Sequence, residues 1–157
     1  MNLEEIKKLY AKKDSMHNWK HILRIQRNTK KILKRTKQKM DLDKLRFLIN
    51  YHGLKEYVLK NKNKFTKEQI KSLLRHSKRP KIIEEKLVHD VNLLDNVGIR
   101  GIQKAFVVGK KIKRRREETL KYIQNNISKI KWYTLEGKRL GRIEIKMMKK
   151  AIKMMTP

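Results

Sequence analysis

The chain has 157 residues, which is enough for one domain with a substantial core and too few for two comfortable ones. It carries 44 Lys and Arg against 15 Asp and Glu, a formal net charge of +29, and it has no cysteine. This composition excludes disulfide frameworks and thiolate metal sites, and no run approaches the roughly 20 apolar residues that span a membrane. We expect a protein of the cytoplasm or another intracellular compartment, an organelle matrix included, with no secretory signal and no membrane partner.

The charge balance predicts a polyanionic partner. A chain with this excess of cations repels itself unless anions neutralise it. A Lys-rich solvated surface is the alternative, since Lys, Ile and Asn are all abundant, but such a bias leaves the scarcity of acidic residues unexplained. Nucleic acid is the commonest polyanion inside a cell, so the composition favours a nucleic-acid-binding protein.

Helical periodicity runs through almost the whole chain. In the first half it predicts a short helix closing near residues 14–15, and a second helix that Asn18 caps and that runs to about residue 38. A third helix, capped by Asp41 or Asp43, ends before Gly53, and residues 54–61 form a short helix or turn. The next helix starts after Thr66, where Glu68 and Gln69 follow, and stops before Pro80.

The second half continues the same pattern. A helix is predicted from about residue 81 to residue 95, followed by a turn or close-packed helix start at Gly98 and Gly101. A basic loop is predicted at about residues 108–116, then a long helix to about residue 132 and a last one over 134–154. No segment alternates like a strand, and no repeat or linker marks a boundary. We therefore predict one all-α domain over residues 1–157, a helical bundle of about seven or eight helices.

Five segments, in order along the chain, resemble the HD-domain superfamily of metal-dependent phosphohydrolases. They are HNWKHILRI at 17–25, His52-Gly53 after LRFLINY, LLRHSKRP at 73–80, HDVNLLDNVGIRGIQKAF at 89–106, and the tail WYTLEGKRLGRIEIKMMKKAI from residue 132. Each segment alone is a weak signal, but together they cover nearly the whole chain. The resemblance implies a single HD-like helical bundle, and it implies less about activity because one fold hosts many functions.

The resemblance places His21 and His52 at metal-ligand positions and His76 at the position of an additional active-site histidine. Two carboxylates of the family are replaced, since Gly53 stands at the Asp of the His-Asp pair and Asn92 at the last ligand Asp. Carboxylates offset the charge of hard cations such as Mg²⁺ and Mn²⁺. We therefore expect no cofactor and no metal at the vestigial positions His21, His52 and Asn92, which with His76 should converge on one pocket.

An active enzyme with an unusual ligand set is the alternative. In that case a divalent metal held by His21, His52, His76 and Asp95 would hydrolyse a nucleotide or a nucleic acid. On a helix, Asp95 lies three residues after Asn92 and about 60° around the axis. By the resemblance, however, Asp95 matches a family Asp that is not the principal ligand. No Gly-x-Ser-x-Gly and no Gly-rich phosphate loop offers other chemistry, so we favour a catalytically impaired protein over an enzyme.

Basic residues fall on several predicted elements, and six of the seven residues at 110–116 are basic, a segment we call the basic tract. The residues predicted to contact nucleic acid are Lys110, Lys111, Lys113, Arg114, Arg115 and Arg116 in the basic tract, Arg24, Arg27, Lys31, Lys34 and Arg35 on the second helix, Arg75, Lys78 and Arg79 around His76, and Arg139 and Arg142 on the last helix. Trp132 and Tyr133 are candidates for stacking on unpaired bases, although aromatic residues at a helix end more often belong to the core.

Charge on so many elements is typical of a protein surrounded by phosphate on several sides. Phosphate contacts position such a protein but carry no sequence information. No helix-turn-helix, zinc-finger or basic-zipper signature is present, so RNA is favoured over DNA. The predicted partners are RNA, for example ribosomal RNA, and the neighbouring proteins of a ribosome or similar ribonucleoprotein particle.

Overall fold

The computed structural model describes residues 2–14 and 16–155, and over these residues the backbone forms nine α-helices, one short 3-10 helix and no strand. The helices are α1 (Leu3–Ala11), α2 (Trp19–Leu33), α3 (Leu42–Tyr51), α4 (Lys55–Lys60), the 3-10 helix (Lys62–Lys64), α5 (Lys67–Arg75), α6 (Ile83–Leu94), α7 (Gly98–Lys111), α8 (Arg116–Ile127) and α9 (Leu135–Met155). The all-α prediction is confirmed. The nine α-helices of the described residues exceed the predicted seven or eight, because residues 55–60 and the segment from Gly98 each form a complete helix.

The chain divides into two compact units, Met1–Val91 and Asn92–Pro157. The first unit holds α1 to α5 and most of α6, and the second holds the end of α6 and α7 to α9. The expectation of one domain over residues 1–157 stays a prediction.

Side-chain caps fix the helix starts of the first unit. Asn18 accepts a hydrogen bond from the backbone N–H of His21, and Asp41, not Asp43, caps α3. Thr66 forms a capping box with Gln69 at the start of α5. The prediction that α2 reaches residue 38 is wrong, because it ends at Leu33. Residues 34–39 offer no apolar side chain to pack, so nothing holds a further turn against a core.

The core of the first unit is built from one face of each helix. Ile22 and Ile25 of α2, Leu48 of α3 and Leu87 and Val91 of α6 are fully buried. Helix α3 packs against α2 and α5, and α1 packs against α2. Each such side chain contributes about 1.5–3 kcal/mol by leaving water, so this core fixes where the ends of α3 and α5 lie.

Helices α7, α8 and α9 pack against one another in the second unit. Helix α7 begins at Gly98, whose φ of 69° is reached readily only by glycine, and the predicted helix start at this residue is confirmed. The ring of Trp132 packs directly against Gly141 of α9, where any side chain would collide with it. The indole therefore takes part in the packing of α9, and stacking of this half-buried ring on unpaired bases stays a prediction.

The predicted basic loop at residues 108–116 is shorter than expected, because α7 extends to Lys111 and α8 starts at Arg116. Helix α7 ends in a Schellman motif, in which the N–H groups of Lys113 and Arg114 donate to the carbonyls of Lys110 and Gly109. Gly109 lies so close to Thr119 that α7 and α8 meet tightly here. This close packing keeps the end of α7 helical and leaves only residues 112–115 outside the helices.

Candidate functional site

Three imidazoles meet in the first unit. His21 lies in the first turn of α2, while His52 and His76 are the C-terminal cap residues of α3 and α5. The Nε2 atoms of His21 and His52 are 3.0 Å apart, and the rings of His52 and His76 lie with their centroids 6.4 Å apart. The structure thus brings together three of the four residues expected to share a pocket. Asn92 belongs to the second unit, and its place beside them stays a prediction.

Backbone carbonyls orient two of these rings. The Nδ1–H of His52 donates to the carbonyl of Ile49 at 2.8 Å, and that of His76 donates to the carbonyl of Leu73 at 2.6 Å. A carbonyl can only accept, so each neutral ring carries its proton on Nδ1 and keeps a lone pair on Nε2. His21 must then donate from Nε2 to His52. Histidines whose Nδ1–H is held by a carbonyl are oriented as metal ligands usually are.

Burial keeps His52 and His76 uncharged. Burial lowers the pKa of His52 to about 3, and the neighbouring His21, His76 and Lys55 add to this shift. Burial also lowers the pKa of His76 to about 4, with Lys55 as the next largest cause. Both imidazoles are therefore neutral at pH 7. The same positive charge that disfavours a proton on these rings also disfavours a metal cation beside them.

Tyr10 packs beside Gly53, the position where the family resemblance leads us to expect an aspartate. The hydroxyl of Tyr10 donates to the carbonyl of Asn50 at 2.9 Å and accepts from the N–H of Gly53 at 3.3 Å. A Cβ on Gly53 would lie 3.1 Å from a ring carbon of Tyr10 and 3.2 Å from its hydroxyl. Tyr10 is fully buried, so its ring takes up space next to His52 that an aspartate side chain would need.

Asp95, the carboxylate that the enzyme alternative would use, has other partners, and so does Asp90. In the second unit, Asp95 is buried and lies 2.7 Å from the ammonium of Lys104 and 3.4 Å from the guanidinium of Arg100. In the first unit, the buried Asp90 lies 3.1 Å from Nδ1 of His89. Two cations hold Asp95, so it is not a free ligand.

The donor set does not fit a hard divalent metal. Within residues 2–14 and 16–155, no group of three or more His, Cys, Asp or Glu side chains is placed to hold a metal ion. Three imidazoles beside the positive charge of Lys55 lack the oxygen ligands that Mg²⁺ and Mn²⁺ require.

Tyr10 and Lys55 were missed by the sequence analysis. Tyr10 falls on the apolar face of α1, where its pattern predicts core packing. Lys55 donates from Nζ to the hydroxyl of Ser77 at 2.6 Å, and burial lowers its own pKa. No local pattern marked Lys55, because it begins α4 while its hydrogen-bond partner Ser77 lies 22 positions away in the chain.

The basic tract is largely exposed at the junction of α7 and α8. Its exposed members are Lys110, Lys111, Lys113, Arg115 and Arg116. Arg115 pairs with Glu118 at 2.9 Å, and Nη2 of Arg116 donates to the carbonyl of Met155 at 3.0 Å. Arg114 differs from the rest, because its guanidinium lies over the ring of Tyr122 with Cζ 4.1 Å from the ring centroid.

The other predicted nucleic-acid contacts fall into two groups. Arg75 is bound to Glu85 at 2.6 Å and Arg139 to Glu136 at 2.8 Å, so both guanidinium groups have partners within the protein. Arg24 is half-buried on α2. The exposed members are Arg27, Lys31, Lys34 and Arg35 on α2, Lys78 and Arg79 after α5, and Arg142 on α9.

Comparisons with known proteins give a fold and no family. No family model and no curated protein matches the chain. The crystal structure of the Lin1889 protein from Listeria innocua is similar, with 25% sequence identity, a TM-score of 0.68 and coverage of 98% of this chain and 94% of that one. The structure of Bacillus subtilis YpgQ in complex with ADP is similar with 18% identity, a TM-score of 0.73 and coverage of 97% and 89%.

A Lactobacillus plantarum protein is similar over 97% of this chain and 92% of its own, with 14% identity and a TM-score of 0.63. These likenesses extend over nearly the full length of each chain, and they support the all-α fold. No helix among the described residues is long and apolar enough to cross a membrane.

Proposed function

We propose that this chain is a catalytically impaired protein of the HD-domain fold that binds RNA electrostatically, as a structural component of a ribosome or another ribonucleoprotein particle. The observation that carries the proposal is the charge balance. With 44 basic and 15 acidic residues, 29 positive charges have no carboxylate in the chain to neutralise them. Nucleic-acid phosphates supply that neutralisation, and binding them releases condensed counterions, which drives association.

The distribution of these charges supports contact on more than one side. Exposed basic residues occur on α2, after α5, at the junction of α7 and α8, and on α9. A protein that recognises DNA through one groove needs a single element docked in that groove, with a few side chains that contact the bases. Basic residues on several separate elements suit a protein packed between RNA segments.

The histidine cluster supports the loss of catalysis. Two of its three imidazoles are oriented as ligands, yet Tyr10 packs against the position of the missing aspartate side chain, and burial together with the charge of Lys55 lowers the pKa of both His52 and His76. Metal-assisted hydrolysis needs an ion that polarises the phosphoryl oxygen and activates water. A site of imidazoles beside an ammonium group binds such an ion weakly.

One observation favours an enzyme as the second candidate. The Nε2 atoms of His21 and His52 lie 3.0 Å apart, so loss of the proton between them would leave two nitrogen donors side by side, as a metal site presents them. YpgQ, a structural neighbour, holds ADP. A metal-dependent phosphohydrolase acting on a nucleotide or nucleic acid is therefore kept as the alternative.

Purification of this protein at low salt from the cells that produce it tests the RNA proposal. The wild-type protein should retain RNA, and sequencing of that RNA identifies the partner. The tract variant, in which Lys110, Lys111, Lys113, Arg115 and Arg116 are changed to Gln, should retain much less. The charge control, with the same charge loss at the exposed Lys12, Lys13, Lys20, Lys60 and Lys67, should retain more than the tract variant. Wild-type protein free of RNA at low salt would contradict the proposal.

Metal content and phosphatase activity separate the two candidates. The wild-type protein should contain no stoichiometric Mg²⁺, Mn²⁺, Co²⁺ or Ni²⁺ and should not hydrolyse general phosphoesters when these ions are added. Gly53→Asp with Asn92→Asp should raise metal affinity more than either change alone, and more again with Tyr10→Leu, which makes room beside Gly53. Activity of the wild type that His52→Ala abolishes would establish the enzyme instead.

A further inference from the structure

An open cleft of about 500 Å³ lies in the first unit, between α1, the end of α3, α4 and the 3-10 helix. Its lining consists of Glu5, Lys8, Leu9, Tyr51, Tyr57, Lys64 and Phe65. None of the three clustered histidines lines it. Its size falls within the roughly 300–1,000 Å³ typical of sites for small ligands.

Aromatic rings form the apolar wall of the cleft. The ring of Phe65 meets Tyr51 edge-on at 5.2 Å between centroids and Tyr57 edge-on at 6.5 Å. Phe47 backs this group, with its ring 4.9 Å from Tyr51. Tyr57 and Phe65 are only half-buried, so part of each ring faces the cleft. Exposed faces of packed aromatic rings are the surfaces on which unpaired bases stack.

The charged groups around the cleft complement a nucleotide. Lys8 and Lys64 are exposed, and within the described residues no ion pair engages either ammonium group. Glu5 accepts from the backbone N–H of Asn2 through Oε2 at 3.0 Å, and its side chain is exposed at the edge of the cleft. A carboxylate in a base-binding site accepts hydrogen bonds from exocyclic amino groups, as it does from N4 of cytosine.

We infer that this cleft binds one unpaired RNA base that carries an exocyclic amino group. The base stacks against Tyr57 and Phe65, its amino group donates to Glu5, and the adjoining phosphates contact Lys8 and Lys64. The inference rests on the proposed RNA binding and adds to it a place where the protein distinguishes single strands from duplexes and cytosine from uracil.

Oligocytidine and oligouridine of equal length carry the same charge, so their comparison isolates the amino group. At neutral pH we expect the wild-type protein to bind oligocytidine roughly 10- to 150-fold more tightly, the effect of one hydrogen bond to a charged acceptor. Glu5→Gln should remove or invert this preference, because the amide oxygen keeps the cap of Asn2 and leaves the amide NH2, which can donate to O4 of uracil, towards the base. The substitution preserves the capping box of α1, because Gln serves in that position as well as Glu.

Tyr57→Leu with Phe65→Leu should weaken binding to both oligonucleotides by roughly 5- to 150-fold, the range for loss of one stacked base, and leave duplex RNA binding unchanged. Circular dichroism melting checks that this variant is folded. Lys8→Gln with Lys64→Gln alters only exposed side chains, so folding does not limit its result. It should weaken binding more than Lys60→Gln with Lys67→Gln, which removes the same charge from exposed residues outside the cleft.

The outcomes separate this inference from the proposed function. If the wild type binds both oligonucleotides and duplex RNA equally, Glu5→Gln behaves as the wild type, and Lys8→Gln with Lys64→Gln behaves as Lys60→Gln with Lys67→Gln, the cleft is not a base site although RNA binding stands. If free cytidine monophosphate binds as tightly as oligocytidine, the cleft is a mononucleotide receptor and the inference is overturned. If the wild type binds no RNA at all, both proposals fail.

Discussion

Lys113 has a left-handed backbone with a φ of 56°, at the Schellman position where glycine is usual. A side chain at this position costs about 1 kcal/mol through the clash of Cβ with the following carbonyl oxygen. We expect Lys113→Gly to raise the free energy of unfolding by about 0.5–1 kcal/mol. Lys113→Ala removes the same charge but keeps Cβ, so it should give no such gain in urea denaturation. If Lys113→Gly and Lys113→Ala raise the free energy of unfolding equally, the gain comes from the loss of the charge and not from relief of the backbone.

The buried histidines make stability depend on pH. The pKa of His52 is about 3 and that of His76 about 4 in the folded chain, against 6.5 for the ordinary side chain. Below about pH 6.5 the unfolded chain therefore binds protons that the folded chain does not, and the free energy of unfolding falls as pH falls. Each histidine lowers the free energy of unfolding by about 2 kcal/mol at pH 5 relative to pH 7.

Urea denaturation across pH 5–8 measures this dependence. The unfolding free energy of the wild type should be nearly flat above about pH 6.5 and should drop steeply below it. The double substitution His52→Asn with His76→Asn should flatten the drop, because the asparagine side chains do not titrate. A wild-type curve that stays level to pH 5 would show that the imidazoles are not desolvated.

At the scale of elements, the buried Glu85 joins α6 to α5. Its carboxylate accepts from Ser72 at 2.5 Å, from Arg75 at 2.8 Å and from the backbone N–H of Lys81 at 2.8 Å. Although burial opposes its charge, hydrogen bonds from Arg75, from the Lys81 backbone and from Ser72 hold the pKa of Glu85 below its usual value. These hydrogen bonds fix the orientation of α5 and therefore the position of His76, its C-terminal cap residue.

Removal of Glu85 alone or of Arg75 alone should lower the free energy of unfolding substantially. Glu85→Ala leaves the half-buried Arg75 without its main carboxylate, so we expect a loss of about 3–5 kcal/mol in unfolding free energy. Glu85→Leu with Arg75→Leu removes both charges and should lose much less than the sum of the two single changes. Additive losses in denaturant titrations would mean that the two side chains act independently.

Helix starts were predictable because they depend on local chemistry. The caps at Asn18 and Thr66 lie within three residues of the N–H groups they satisfy, and Asp41 was one of two candidates for its helix. Helix ends depend on tertiary packing, and several predictions failed there, including that for α8, which ends at Ile127 and not near residue 132. Helix α2 ends early because residues 34–39 have nothing to pack against, and α7 continues past residue 108 because Gly109 fits against Thr119.

The site was also predictable only in part, because some of its contacts depend on tertiary packing. The motif order pointed to His21, His52 and His76, and the fold brings these rings together. The roles of Tyr10 and Lys55 follow from contacts with residues that are 43 and 22 positions away in the chain, which no local pattern encodes. The stacking of Arg114 on Tyr122 likewise separates it from the exposed members of the basic tract.

At the scale of the whole molecule, the net charge of +29 dominates the physical account. Such a charge has two consequences, self-repulsion of the free protein and strong attraction to any polyanion. Both consequences weaken as salt screens the charges, with a Debye length of about 8 Å at physiological ionic strength. Binding that is driven by phosphate neutralisation must therefore respond to salt in proportion to the number of phosphates that the protein neutralises.

The salt dependence of RNA binding tests this central claim most directly. The dissociation constant for one structured RNA is measured by fluorescence anisotropy at increasing KCl, for the wild type, the tract variant and the charge control. We predict a steep linear fall of log affinity with log salt for the wild type. The slope should become shallower in the tract variant by up to about 0.7–0.9 for each phosphate that the variant no longer neutralises, and by less in the charge control. Binding that does not change with salt, or a slope that the tract variant leaves untouched, would contradict the account.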